Sequence, residues 1–218
     1  MQEKSSGKLF SRGYLIWNEV LNAITHGLGF ILSAVGLVFL VRKGLELGGV
    51  VEVTSYVVYG ISLMLLYLCS TLYHSLTFTR AKQVFRVLDH CSIFVLIAGT
   101  YTPYTLITIS GTLGVILTTI IWSIAVLGVI YKTVWFKKFQ GLSLWLYIIM
   151  GWISLFFLNY LYQGLGTEGF IWLVAGGLSF TVGALFYRMK HVRFMHVVWH
   201  LFVLGGTVCM FFSIYLYT

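Results

Sequence analysis

MHVVWHLFVLGGTVCMFFSIYLY, residues 195–217, contains no Asp, Glu, Lys or Arg. An apolar run of this length matches the roughly 20 residues with which an α-helix crosses the hydrocarbon core of a bilayer. Its first turns nevertheless carry two imidazoles, His196 and His200. Outward from this stretch, six further apolar segments of spanning length are read at about 19–41, 53–74, 88–109, 113–131, 142–162 and 169–187. Gly48-Gly49, Ser110-Gly111, Gly141 and Gly164-Leu165-Gly166 mark short connections between them. The reading is an all-α, polytopic membrane protein: a seven-transmembrane-helix bundle.

Composition agrees. With 59% hydrophobic and 9% charged residues, a chain of 218 residues has more apolar surface than one soluble core can hide. The net charge of +8 is not the footprint of a nucleic-acid binder, because Lys and Arg sit in short clusters between the apolar runs. When alternate connections are assigned to opposite sides, Arg42 and Lys43 fall on one side and every other basic residue on the other. The positive-inside rule then places the N-terminus in the cytoplasm and the C-terminus outside. Residues 1–18 are expected to form a cytoplasmic N-terminal segment and residues 19–218 one membrane domain. The first span is too long for a signal-peptide core and lacks a small-residue cleavage site, so it is expected to be retained. Cys69, Cys91 and Cys209 are odd in number and lack paired spacing, and are read as inert thiols. The glycine pairs Gly176-Gly177 and Gly205-Gly206 suit close helix packing within one chain or between chains, and leave the oligomeric state open.

With this topology, Glu19, His26, His74, Asp89, His196 and His200 all fall at the cytoplasmic ends of their helices, in one layer. Ionisable residues in a bilayer are expensive and need a partner or a task. His196 and His200, at i and i+4, share a helix face and can reach one ion. Ser70 and His74 have the same spacing in the second span, with the hydroxyl one turn deeper. Three imidazoles from two helices form a zinc-binding set that leaves a fourth position for water. The bland alternative is that each is an interfacial histidine without a metal; the joint pattern favours the site. Asp89, at the same depth, can accept a hydrogen bond from a water on the metal and act as its base. Alternatively, it caps a helix N-terminus or pairs with Arg86. Glu19, Asn22 and His26 form an i, i+3, i+7 stripe that must face the bundle interior, either supporting the ligands or substrate or joining helices. Two carboxylates, three neutral imidazoles and a divalent ion sum to zero charge. His90 and His191 are read as packing and solvated residues. Pro103, the sole proline, frees the Gly99 carbonyl and is expected to kink the third span.

The stretches Glu19-Val-Leu-Asn22-Ala-Ile-Thr25-His26-Gly, Ser70-Thr-Leu-Tyr-His74-Ser, Leu88-Asp89-His90-Cys, Ile97-Ala-Gly-Thr-Tyr-Thr-Pro103 and His196-Val-Val-Trp-His200 resemble the haemolysin III family, the bacterial branch of the progestin and adipoQ receptor superfamily. The resemblance implies a seven-helix bundle in the bacterial inner, or cytoplasmic, membrane, with zinc near the cytoplasmic side. His74, His196 and His200 would be its ligands, with Ser70 and Asp89 around the metal-bound water. It further implies a membrane hydrolase with ceramidase-like amide hydrolysis, or a factor in membrane-lipid homeostasis.

Three functions compete on the residues. The first is a zinc-dependent hydrolase of a membrane lipid amide or ester. The second is a non-enzymatic lipid-homeostasis or sensing protein in which zinc is structural and Asp89 closes the coordination. A haemolysin-type, cytolytic pore former is least supported, because so uniformly apolar a chain has no soluble state. A membrane lipid is the expected substrate or ligand.

Overall fold

The computed structural model describes residues 10–134, 142–189 and 191–218 and, among these, is entirely helical. Helix α1 spans Arg12–Leu47, α2 Val50–Ser75, α3 Lys82–Pro103, α4 Gly111–Val134, α5 Leu142–Gly151, α6 Leu158–Arg188 and α7 Met195–Tyr217. A π-helix, Tyr104–Ile109, continues α3, and a 3₁₀ segment, Trp152–Phe157, joins α5 to α6. Lys4, Lys8, Lys137, Lys138, Gly141 and Lys190, used above as topology or turn signals, lie outside the described residues.

Helix α1 begins at Arg12, ahead of Glu19, because the Ser11 hydroxyl accepts from the Tyr14 N–H and caps the helix where the apolar pattern has not yet begun. Helix α3 likewise begins at Lys82, before the apolar run opens near residue 88. Pro103 is followed directly by the π-helix, where the Ser110 N–H reaches back to the Thr105 carbonyl at 2.9 Å; the expected disturbance takes that form.

Among the described residues, six helical runs are long and apolar enough to cross a membrane. The fifth, Leu142–Arg188, has 47 residues and covers two of the spans read from sequence. A straight helix of that length would reach roughly 70 Å, more than twice the bilayer core. It is not straight. At Gly166 the backbone takes φ 66° and ψ 179°, a conformation that L side chains rarely adopt. The Trp152 indole N–H donates to the Thr181 hydroxyl at 3.0 Å, and the Arg188 guanidinium lies 5.7 Å from the centre of the Trp145 ring. Both contacts require the chain to fold back near Gly166.

Helix α1 packs on α2, α2 on α3, α3 on α4 and α6 on α7, while α7 returns to α1 and closes the bundle. The interior is aromatic, with Tyr56, Tyr59, Tyr67, Phe94, Tyr101 and Tyr104 all buried. Trp17, Ile24, Val38, Leu127, Ile171, Leu185 and Leu201 point outward and are exposed. An apolar surface over spanning helices, with backbone groups satisfied inside each helix, is what lipid demands; this is a multi-pass membrane protein. Gly176 and Gly206 are used within the chain, against Met210 and Phe180. The three cysteines are free, two of them buried.

Candidate metal centre

The helix ends place the site. Helix α2 finishes one residue after His74, α7 starts one residue before His196, and the first half of α1 runs between them, so three helices deliver their polar residues to one end of the bundle. One ring nitrogen from each of His74, His196 and His200 lies within 4.8 Å of the others. The ring centres are 5.2 Å apart for His74 and His196, 5.0 Å for His74 and His200, and 4.7 Å for His196 and His200. His74 and His200 are buried and His196 half-buried.

The outer hydrogen bonds of two of these rings fix which nitrogen faces the cluster. His74 Nδ1–H donates to Glu19 Oε2 at 2.7 Å, which leaves Nε2 as a buried lone pair without a protein partner. His200 Nδ1–H is shared by the Asn22 carbonyl and the Thr25 hydroxyl, each at 3.3 Å, so the lone pair of this ring is on Nε2. A carboxylate or carbonyl behind a ligating histidine sets tautomer and orientation at metal sites in general. A set of neutral imidazoles suits a divalent ion of the zinc, copper, iron or nickel class. The orphaned Nε2 and the spacing of the nitrogens therefore fit a metal ion, and these three histidines can hold one.

The stripe on α1 faces inward. Glu19, Asn22 and His26 all line one cavity of about 480 Å³ with the three histidines, Ser70 and Asp89. The His26 ring stacks on His200, with centres 3.5 Å apart and planes 12° from parallel, and meets the edge of Tyr67. Both His26 nitrogens, both polar atoms of the Asn22 side chain and the Ser70 hydroxyl are buried without hydrogen-bond partners. Buried polar groups are normally paired, with protein or with ordered water, so these atoms leave hydrogen-bonding capacity gathered at one end of the cavity. From this layer the cavity runs inward between apolar walls that include Leu96, Ile97, Leu161, Leu173, Val203 and Met210.

Asp89 lies two turns inside α3, whose N-cap position is Ala81, so the capping alternative falls. Its carboxylate is not within the group of ligand atoms that the three histidines form. His90 also lines the cavity: its Nδ1 donates to the Arg86 carbonyl at 2.8 Å and lies 3.5 Å from Asp89 Oδ2, while its own carbonyl accepts from Tyr147. His191 is exposed, as read from the sequence.

Three residues took on roles that their patterns did not announce. Thr25 and Tyr67 belong to helices already singled out, but side-chain direction decided their contacts. Lys132 looked like the first of a lysine cluster beyond a span; it is buried, with Nζ donating to the Ser143 hydroxyl at 2.7 Å. No sequence feature separates it from a solvated lysine.

Comparison with known proteins extends the match over almost the whole chain. A family model described as haemolysin-III related covers residues 14–211, and so every residue of the cluster. Hemolysin-3 of Bacillus cereus is 45% identical over 199 residues, covering 91% of this chain and 91% of that protein. The hemolysin-3 homolog of Bacillus subtilis (strain 168) is 43% identical over 204 residues, covering 94% of this chain and 96% of the relative. At greater distance, the monocyte to macrophage differentiation factor of Homo sapiens is 25% identical over 207 residues, covering 92% and 84%. Full-length identity of this order, joined to a family model spanning all the helices, makes the chain a member of the haemolysin-III-related family.

Proposed function

We propose that this protein is a zinc-dependent hydrolase of a membrane lipid, cleaving an amide or ester bond. The observation that carries the reading is one cavity with two ends: three convergent imidazoles and a layer of orphaned polar atoms at one, apolar walls at the other. A lipid matches that division, with its linkage at the polar end and a chain along the walls.

The membrane arrangement in this proposal has seven crossings. The fold-back at Gly166 divides the long run into two spans of bilayer length, near 142–162 and 169–187. An odd number with the basic clusters inside places the N-terminal segment, residues 1–18, in the cytoplasm and the C-terminus outside, with residues 19–218 as the membrane domain. The histidine layer then sits just beneath the inner leaflet, where a lipid enters sideways.

His74, His196 and His200 would hold the zinc, which when bound supplies a Lewis acid for the substrate carbonyl and makes a nearby water more acidic. Asp89 takes the proton of that water as it attacks the carbonyl carbon, and returns it to the departing nitrogen or oxygen as the carbonyl carbon–heteroatom bond breaks. Ser70, one turn below His74, donates to the reacting oxygen or to Asp89. Glu19 holds His74 in the tautomer that presents Nε2. Asn22 and His26 offer their orphaned atoms to the polar part of the lipid, and the apolar walls exclude bulk water. Asp89 is not in the group of ligand atoms formed by the three histidines, which supports its reading as a base over its reading as a closing ligand.

The test pairs metal content with turnover in liposomes containing N-acyl and O-acyl lipids. Purified protein should carry about one zinc per chain, and His196→Ala should lose it. Asp89→Asn should keep the zinc and lose roughly two to four orders of magnitude in rate. Stoichiometric zinc without turnover of either lipid class would point instead to a structural metal, and undiminished activity in Asp89→Asn would remove the base from the mechanism.

A further inference from the structure

Lys132 is 2% exposed in the last turn of α4, and the Ser143 hydroxyl that accepts from it is 3% exposed. A buried ammonium needs an anion as well as a hydrogen bond, because a hydroxyl balances no charge. The chain has six acidic residues. Glu3 lies outside the described residues. Glu46 is engaged by Arg42, and Glu168 by Tyr217. Together with Glu52 in the first turn of α2, both of these lie at the opposite end of the bundle. Glu19 is committed to His74. The remaining acid is Asp89, the only aspartate in the sequence.

Helix register brings the two together. Helices α3 and α4 are antiparallel neighbours, with Gly128 flat against the Phe94 ring, where a Cβ would come within 2.5 Å, and Cys91 Sγ 4.0 Å from the Val129 carbonyl. One further turn toward the site brings Lys132 to the level of Asp89, and the two charges lie within electrostatic reach of each other. Helix α5 closes the group from the third side. Its Tyr147 hydroxyl donates to the His90 carbonyl at 2.8 Å, and Ser143, one turn earlier, contacts Lys132 and also lines the cavity.

We infer that Lys132 is the buried counter-charge of Asp89, fixed by Ser143 behind the cavity wall, and that it acts as a positioning residue for the carboxylate. It is not among the residues that line the cavity. It revises the charge balance drawn from sequence, in which a divalent ion and two carboxylates cancelled with no lysine present. With Lys132 included, and with Arg86 also lining the cavity, the layer is positive beyond that balance, so it favours a substrate or product that brings negative charge to the carbonyl position. The pairing itself stands on the helix register. Its service to catalysis rests on the hydrolase reading above.

A double-substitution cycle separates the two. Lys132→Met should lower the apparent melting temperature by about 10 °C while zinc content stays at the parent's level. Adding Asp89→Asn should recover most of that loss, because the second change removes the carboxylate left unbalanced by the first. If Lys132→Met alone does not accumulate, recovery of folded yield in the double variant gives the same answer. In turnover, Lys132→Met should lower kcat at least tenfold with KM unchanged, and the double variant should be no slower than Asp89→Asn alone. Additive losses of stability, or a Lys132→Met protein as stable as the parent, would overturn the pairing. Recovery of stability with no lipid turnover in any variant would keep the pair and reject the hydrolase.

Discussion

The two ends of the bundle treat polar groups in opposite ways. At the far end, Lys43 donates to the carbonyls of Tyr215 and Thr218 at 2.8 and 2.6 Å, and reaches that of Ile214 at 3.4 Å. The Tyr56 hydroxyl shares the Thr218 carbonyl at 3.1 Å, and its ring lies 5.3 Å from the ammonium. A helix C-terminus with unsatisfied carbonyls has met a cation, and both are complete. At the histidine end, Asn22, His26, Ser70 and His74 keep buried atoms without protein partners. Away from the cavity, among the described residues, such atoms are single hydroxyls, as in Ser55, Tyr59 and Thr108. Polar groups that the fold completes hold it together, and polar groups left incomplete in one layer mark the place kept for something else.

That contrast breaks most directly at Glu19, where the largest effect is expected after the ligand and base substitutions. Glu19→Gln keeps shape and removes the carboxylate behind His74. It should weaken metal affinity about 10- to 100-fold, the usual cost of losing such a partner, while the melting temperature of the metal-free protein changes little. Titration with a competing chelator measures the first, and a thermal scan in chelator the second. Equal metal affinity in parent and variant would mean that His74 is oriented by packing alone.

Lys43→Met tests the other end. The loss of charge-assisted bonds to three carbonyls should destabilise the protein by about 1.5–3 kcal/mol, a fall of several degrees in the melting temperature for a chain of this size. Metal content and affinity should be unchanged, because the substitution lies at the opposite end of α1 from Glu19. A loss of metal on this substitution would show that the two ends are coupled, and would erase the distinction between them.

Much of the histidine end was legible in sequence because its residues obey helix spacing. His196 and His200 share a face by being four apart, as do Ser70 and His74, and the stripe Glu19, Asn22, His26 follows the same period. Depth came from the basic clusters. What the sequence could not convey was the direction of single side chains. Glu19 and His26 share one face of α1, two turns apart, yet one binds His74 and the other stacks on His200. Lys132 was beyond reach because a lysine at a helix end is normally solvated, and only the crossing of α3, α4 and α5 buries it. Helix starts were misplaced at both α1 and α3, since hydrophobicity marks the lipid-buried stretch while hydrogen bonding continues outside it. The run from Leu142 to Arg188 teaches the converse: a single left-handed glycine turns one continuous helical pattern back on itself, and Gly164-Leu165-Gly166 was the visible signal.

The smallest effect is expected one residue from one of the largest. Arg42 and Lys43 are neighbours, and both stood out as basic residues on the side of the membrane where the charge rule expects few. Their environments differ completely. Arg42 Nε donates to Glu46 Oε1 at 2.8 Å with both side chains mostly in solvent, 76% and 62% exposed. Such a pair is screened by water and salt and holds two long side chains in place for little return. Arg42→Ala should leave the melting temperature and the metal affinity indistinguishable from the parent, in low salt as in high. A fall comparable to that of Lys43→Met would mean that charge at this end acts as a field and not through the fitted contacts of one ammonium. The comparison would then have to be redrawn around net charge. If Arg42→Ala is silent, the exception to the charge rule reduces to Lys43, whose charge is spent inside the protein on the carbonyls of α7 and never stood at the membrane surface to be counted.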